Sequence, residues 1–194
     1  MNSRFQVRDL VLIPLFTALL AVVSTFSIPL GPVPITLQTL VVMLTGSVLG
    51  PKRGFLSMIV YIALAAVGAP VLAGGKSGLA ALLGPTGGYI FSWPIAAFII
   101  GVIVYSFSKK SGLKLWHIII AHLIGGTILI HLCGFTWFVV TTGAPLVKET
   151  FMSVLVIFLP GDVIKVVFGA IVVLALHKAI PNLIPKKATA NKSA

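Results

Sequence analysis

Pro160-Gly161-Asp162-Val163-Ile164-Lys165 lies inside an apolar run that extends from near Phe151 to Leu176. Asp162 is one of three acidic residues in the chain, and Lys165 follows it at i+3, so a helix places both side chains on one face. Each stands about a dozen residues from an end of the run, which is mid-depth in a segment that crosses a bilayer. A charge there costs roughly 2.5–3.5 kcal/mol on insertion scales. A pair kept at that cost is either a structural pin for its helix or the polar part of a ligand pocket. Pro160-Gly161 favours the pocket, because a proline–glycine break frees backbone groups beside the pair, as in broken helices at transporter substrate sites.

Outward from this stretch the chain stays apolar. Of its 194 residues 58% are hydrophobic and 9% charged, with a mean hydropathy of +1.15. No soluble domain of that size hides so much apolar surface, so an integral membrane protein is expected. Asp, Glu, Lys and Arg are absent from 10–51, 54–75, 77–108 and 115–147. With about 20 apolar residues per crossing, these intervals predict helical segments at about Leu10–Ile28, Leu37–Leu49, Phe55–Val67, Tyr89–Phe107 and Leu115–Val140. Phe151–His177, interrupted at Pro160-Gly161, makes a sixth. The alternating pattern of a β-barrel is missing. The expected fold is an all-α bundle of six transmembrane helices spanning residues 1–180, with a basic, disordered tail over 181–194.

The net charge of +11 raises nucleic acid as a partner, but the positions argue against it. Arg4, Arg8, Lys52, Arg53, Lys109, Lys110, Lys114, Lys178, Lys186, Lys187 and Lys192 fall at the N-terminus and after the second, fourth and sixth segments. These ends share one side of the membrane, and the positive-inside rule makes that side, with both termini, cytoplasmic. The first apolar run is too long for the core of a cleavable signal peptide.

Three prolines between Pro29 and Pro34 exclude regular helix after the first segment. Gln38 stands at the outer end of the second segment. The stretch 68–88 carries seven of the nineteen glycines together with leucines and alanines, and reads as an apolar lid over the outer end of the bundle. Thr17, Ala21 and Thr25 recur at i, i+4 and i+8, a spacing that admits close approach of another helix, either a partner's or one within the bundle.

Several chemistries fail. Gly75-Lys76-Ser77 ends like a phosphate-binding loop, but Pro70 stands where that loop needs glycine, which excludes ATP binding by this chain. Cys133 is the single cysteine, so no disulfide is expected. His117, His122, His131 and Cys133 have no carboxylate nearby in sequence and make no metal set; the histidines are expected to be packed or hydrogen-bonded. No catalytic residue, enzyme activity, metal or cofactor is expected.

Pro32-Val33-Pro34-Ile35-Thr36-Leu37-Gln38-Thr39-Leu40, Gly84-Pro85-Thr86-Gly87-Gly88-Tyr89 and Pro160 to Lys165, in that order across nearly the whole chain, resemble the BioY family. BioY proteins are the biotin-binding S components of energy-coupling factor (ECF) transporters of the bacterial cytoplasmic membrane. The resemblance implies capture of biotin near the outer face and delivery inward with an EcfT-like transmembrane coupling protein and two cytoplasmic ATPases. It implies contact of Asp162 and Lys165 with the ureido head of biotin. It places Gly74, Gly75, Gly87 and Tyr89 in a lid that helps hold the ligand, with Gln38 also at the site. Small residues on helix one, here Thr17, Ala21 and Thr25, would contact the coupling protein. The chain departs from some relatives at Lys76, where they carry a neutral amide, and at Ile90, where they carry arginine. Lys76 is the candidate partner for the valerate carboxylate. The competing readings are a stand-alone secondary carrier and a membrane protein in which Asp162–Lys165 is structural.

Overall fold

The structure, a computed structural model, describes residues 7–29, 33–180 and 183–184. The expectations for Arg4, the Arg8 side chain, 30–32 and most of the basic tail fall outside these residues. In chain order the elements are α1 (Val7–Ser24), β1 (Ser27–Ile28), β2 (Ile35–Thr36), α2 (Gln38–Ala66), a 3-10 turn (Ala73–Gly75), α3 (Gly78–Leu82) and α4 (Gly87–Ser111). Then come α5 (Leu115–Ala121), a π-helical stretch (His122–Leu129), α6 (Ile130–Thr142), α7 (Lys148–Val154), a 3-10 turn (Val156–Phe158) and α8 (Leu159–Ala179). The molecule is mostly helical. Four of its helical stretches, Gln38–Ala66, Gly87–Ser111, Leu115–Thr142 and Lys148–Ala179, are long and apolar enough among the described residues to cross a membrane.

The first of these is not one rod. Gly50 sits at φ 78°, a conformation open to glycine, and Pro51 follows it. The Gln38 amide donates to the Tyr61 hydroxyl at 2.9 Å across 23 residues, which a straight helix would hold about 34 Å apart. The chain therefore reverses at Gly50, and Gln38–Leu49 and Pro51–Ala66 form a helical hairpin. The reversal falls between the expected segments Leu37–Leu49 and Phe55–Val67.

Three boundaries differ from expectation. α1 ends at Ser24, and residues beyond it pair as β1 with β2, Ser27 opposite Thr36 and Ile28 opposite Ile35. The last long stretch breaks at Leu155–Phe158, ahead of Pro160-Gly161, and Pro160 lies in the first turn of α8. Proline lacks an N–H that the first turn does not need, so it starts this helix instead of interrupting one. Asp162 and Lys165 consequently stand at the beginning of α8, not at its middle. Finally Ile184, assigned by sequence to the disordered tail, is fully buried in the core, where an isoleucine gains more than in water.

α4 packs most extensively on α2, and α1 also packs on α2. Outward-facing Val163, Ile164, Val167, Phe168 and Ile171 on α8 are exposed, while Asp162, Lys165, Val166, Gly169, Ala170 and Val173 are buried. A helix apolar on its outer face is suited to lipid, not water. This is a membrane protein. Lys109 and Lys110 end α4, and Lys178 ends α8, at the opposite ends of their helices from Tyr89 and Asp162.

Candidate functional site

The starts of α2, α4 and α8 converge with the two loops on one side of the bundle. They enclose a cavity of about 340 Å³, within the usual range for small-molecule sites. Val33 and Pro34 of the β1–β2 connection and Thr36 of β2 form one wall, and Leu72, Ala73, Lys76, Ala80 and Ala81 of the α2–α4 connection another. Tyr89 and Trp93 of α4, His131 of α6 and Phe158 supply the aromatic surface, Ile90 of α4 adds aliphatic surface, and Gln38, Thr39, Asp162 and Lys165 carry polar groups.

The loops are fixed to the bundle by specific bonds. The Tyr61 hydroxyl, which accepts from Gln38, donates to the Val71 carbonyl. The Trp137 indole donates to the Gly84 carbonyl at 3.0 Å. Within the loop the Leu72 amide donates to the Lys76 carbonyl at 3.0 Å. The glycine-rich connection is thus an ordered cover over an apolar space, as its leucines and alanines suggested.

At the base of the cavity the charges interlock. The Lys165 ammonium lies 3.0 Å from Asp162 Oδ1 and donates to Thr39 Oγ1 at 3.2 Å. His131 Nε2 bonds to Asp162 Oδ2. Asp162 is 2% exposed and Lys165 8%. A carboxylate only accepts, so both bases donate to it, and Oδ1 and Oδ2 are held from two different helices. Removing one partner from a buried pair of this kind typically costs about 3–5 kcal/mol.

The expected site residues divide. Asp162, Lys165, Lys76, Gln38 and Tyr89 all line this cavity. Gly74, Gly75 and Gly87 are not among its lining residues. Gly87 serves packing: a Cβ there would fall 2.0 Å from the Leu82 carbonyl oxygen. On α1, Thr17 is buried 3.0 Å from the Ser57 hydroxyl, and Thr25 lies beyond the helix end, bonded to its own Val22 carbonyl. The three small residues therefore do not form one exposed stripe; Thr17 is committed to α2, and Ala21 packs on the core. Sequence reasoning missed His131, Thr39, Trp93 and Phe158. The signal for His131 was available: it is a polar side chain deep in a charge-free segment, as Asp162 is in its own. Thr39 stood inside a quoted motif without a role.

The three motifs Pro32–Leu40, Gly84–Tyr89 and Pro160–Lys165 all contribute lining residues, so segments far apart in sequence meet at one cavity. The sequence profile of the BioY family matches residues 1–182. The chain belongs to the BioY family. A biotin transporter BioY of Rhizobium etli is 35% identical over 187 residues, covering 93% of this chain and 98% of that protein. A probable biotin transporter BioY of Bacillus subtilis is 38% identical over 176 residues, covering 89% of this chain and 91% of that one. The fold matches a crystal structure of the S-component for biotin from an ECF-type ABC transporter with a TM-score of 0.85 and 32% identity, over 95% of this chain and 98% of that one. The BioY match includes every segment that builds the cavity.

Proposed function

We propose that this chain is the biotin-specific S component of an ECF-type importer in a bacterial cytoplasmic membrane. It is a transporter-family protein and not an enzyme. The observation that carries the reading is the buried Asp162–Lys165 pair at the base of a cavity otherwise walled by aromatic and aliphatic side chains. Biotin has the matching parts: a cyclic urea, an apolar sulfur ring and an anionic tail. Asp162 accepts from a ureido N–H, and Lys165 donates to the ureido oxygen. Trp93, Tyr89 and Phe158 cover the ring system. Lys76, on the α2–α4 connection and lining the cavity, faces the valerate carboxylate.

In this reading the two arms of α2 each cross the membrane, which with α1, α4, the continuous α5–α6 helix and α8 makes six crossings. The basic helix ends and both termini lie in the cytoplasm. Biotin enters from outside, the loops close, and a transmembrane coupling protein driven by two ATPases reorients the loaded bundle.

Binding of radiolabelled biotin to the purified chain tests the assignment: saturable binding is expected, and its absence overturns it. Uptake by cells with and without the ATPase partners then tests the coupling, which a stand-alone carrier would not require.

A further inference from the structure

We propose that His131 is a positioning residue for biotin, holding the Asp162 carboxylate in the plane that accepts from the ureido group; this rests on the biotin-binding reading. Lys165 restrains Oδ1 of Asp162 but sits one turn away on the same helix, so that bond alone leaves the carboxylate free to turn as α8 moves. His131 reaches Oδ2 from α6. The carboxylate is thereby gripped by two bases on two elements. Each grip takes one of its roughly four lone-pair sites, and the remaining sites are free to accept.

The imidazole is itself held. It meets the Tyr89 ring edge-on with centroids 5.9 Å apart, and the Phe158 ring lies 5.8 Å away at 33°. The Tyr89 hydroxyl donates to the Val154 carbonyl at 3.0 Å. Gly134 lets the Tyr89 ring lie directly on α6, since a Cβ there would come within 2.3 Å of the ring. Aromatic shelf, imidazole, carboxylate and ammonium form one line running from α4 through α6 to α8, ending on Thr39 of α2. Site groups supported in this way keep the geometry that a rigid ligand requires. A histidine acting only as packing would need no carboxylate partner.

Two variants test this. His131→Phe keeps a flat ring between Tyr89 and Phe158 and removes the donor. His131→Gln restores an N–H at similar reach. Each is measured against biotin and against a biotin analogue methylated on a ureido nitrogen. His131→Phe is expected to weaken biotin about ten- to hundredfold, the range for a bond to a charged group, with most of the affinity returned in His131→Gln. The wild-type preference for biotin over the methylated analogue shrinks in His131→Phe. Wild-type affinity in His131→Phe, or equal weakening of both ligands with the preference intact, overturns the proposal. Failure of the wild-type chain to bind biotin at all overturns the functional reading instead.

Discussion

Two histidines on one continuous helix, nine residues apart, differ in what they complete. His122 is fully buried, with Nδ1 3.3 Å from the Val166 carbonyl and Nε2 2.8 Å from the Ser47 hydroxyl. Nδ1 donates, Nε2 accepts, and both nitrogens are spent on neutral groups of α8 and α2. Val166, whose carbonyl the His122 ring meets, belongs to a buried apolar cluster without aromatic side chains that also holds Met43, Ile100, Ile118 and Val173. His131 spends Nε2 on a carboxylate, and its neighbours are Tyr89 and Phe158. The half around His122 is a closed core in which the imidazole, the Ser47 hydroxyl and the Val166 carbonyl satisfy one another. The half around His131 keeps charge beside open volume. A buried histidine marks a site when its partner carries a charge and the space beside it is unfilled.

If that contrast is right, substitutions in the two halves separate affinity from stability. The largest effect is expected for Asp162→Asn, which leaves Lys165 without its buried counter-charge and a single acceptor oxygen where two served Lys165 and His131. Biotin affinity falls about hundredfold, within the range of about 2–5 kcal/mol for removing a buried, hydrogen-bonded charge from a binding interface. Equilibrium binding to purified protein checks it, and a loss of threefold or less would erase the distinction between the halves.

Gly101→Ala probes the closed half. A Cβ there would lie 2.4 Å from the Pro51 nitrogen and 2.6 Å from the Gly50 carbonyl carbon, both backbone atoms at the reversal of α2. Neither yields cheaply, so a cost of about 3 kcal/mol is expected, seen as a fall of roughly 6–12 °C in unfolding temperature. Biotin affinity of the folded protein stays within twofold of wild type. His122→Phe acts in the same half with a smaller effect. It leaves the buried Ser47 hydroxyl without its imidazole acceptor, while the Val166 carbonyl keeps its bond within α8, at a cost of about 1–3 kcal/mol, again without change in affinity. Weakened binding in either variant would show that the closed half shapes the cavity.

Much of this contrast was legible in the sequence. Asp162 and Lys165 announced themselves because a charge in an apolar run needs a cause, Gln38 and Tyr89 came with the motifs, and Lys76 stood out as a departure from the family pattern. The long helices followed from charge-free intervals. Local pattern could not reveal which helix faces whom. Thr17, Ala21 and Thr25 look alike at i, i+4 and i+8, yet Thr17 bonds to Ser57 and Thr25 lies past the helix end. Pro160 read as a break because its run of apolar neighbours hid the earlier turn at Leu155–Phe158. His131 carried a signal as a polar side chain in an apolar segment, but its role could not be assigned because its partner is Asp162, 31 residues away.

Lys76 gives the smallest and most discriminating prediction. It is exposed and lines the cavity from the α2–α4 connection, whereas Asp162 and Lys165 are buried at the base. An exposed ammonium works in a high dielectric and is screened by salt, so its attraction for a ligand carboxylate is weak. Lys76→Ala is therefore expected to lower affinity for biotin by no more than about fivefold, the range for exposed ion pairs. The loss should shrink at high ionic strength, unlike that of Asp162→Asn. It should also depend on the ligand's charge: the wild type prefers biotin to its carboxamide, and the variant binds the two alike. An undiminished preference for the acid in Lys76→Ala would remove Lys76 as the carboxylate partner while leaving the buried pair, and the difference between the two halves, intact.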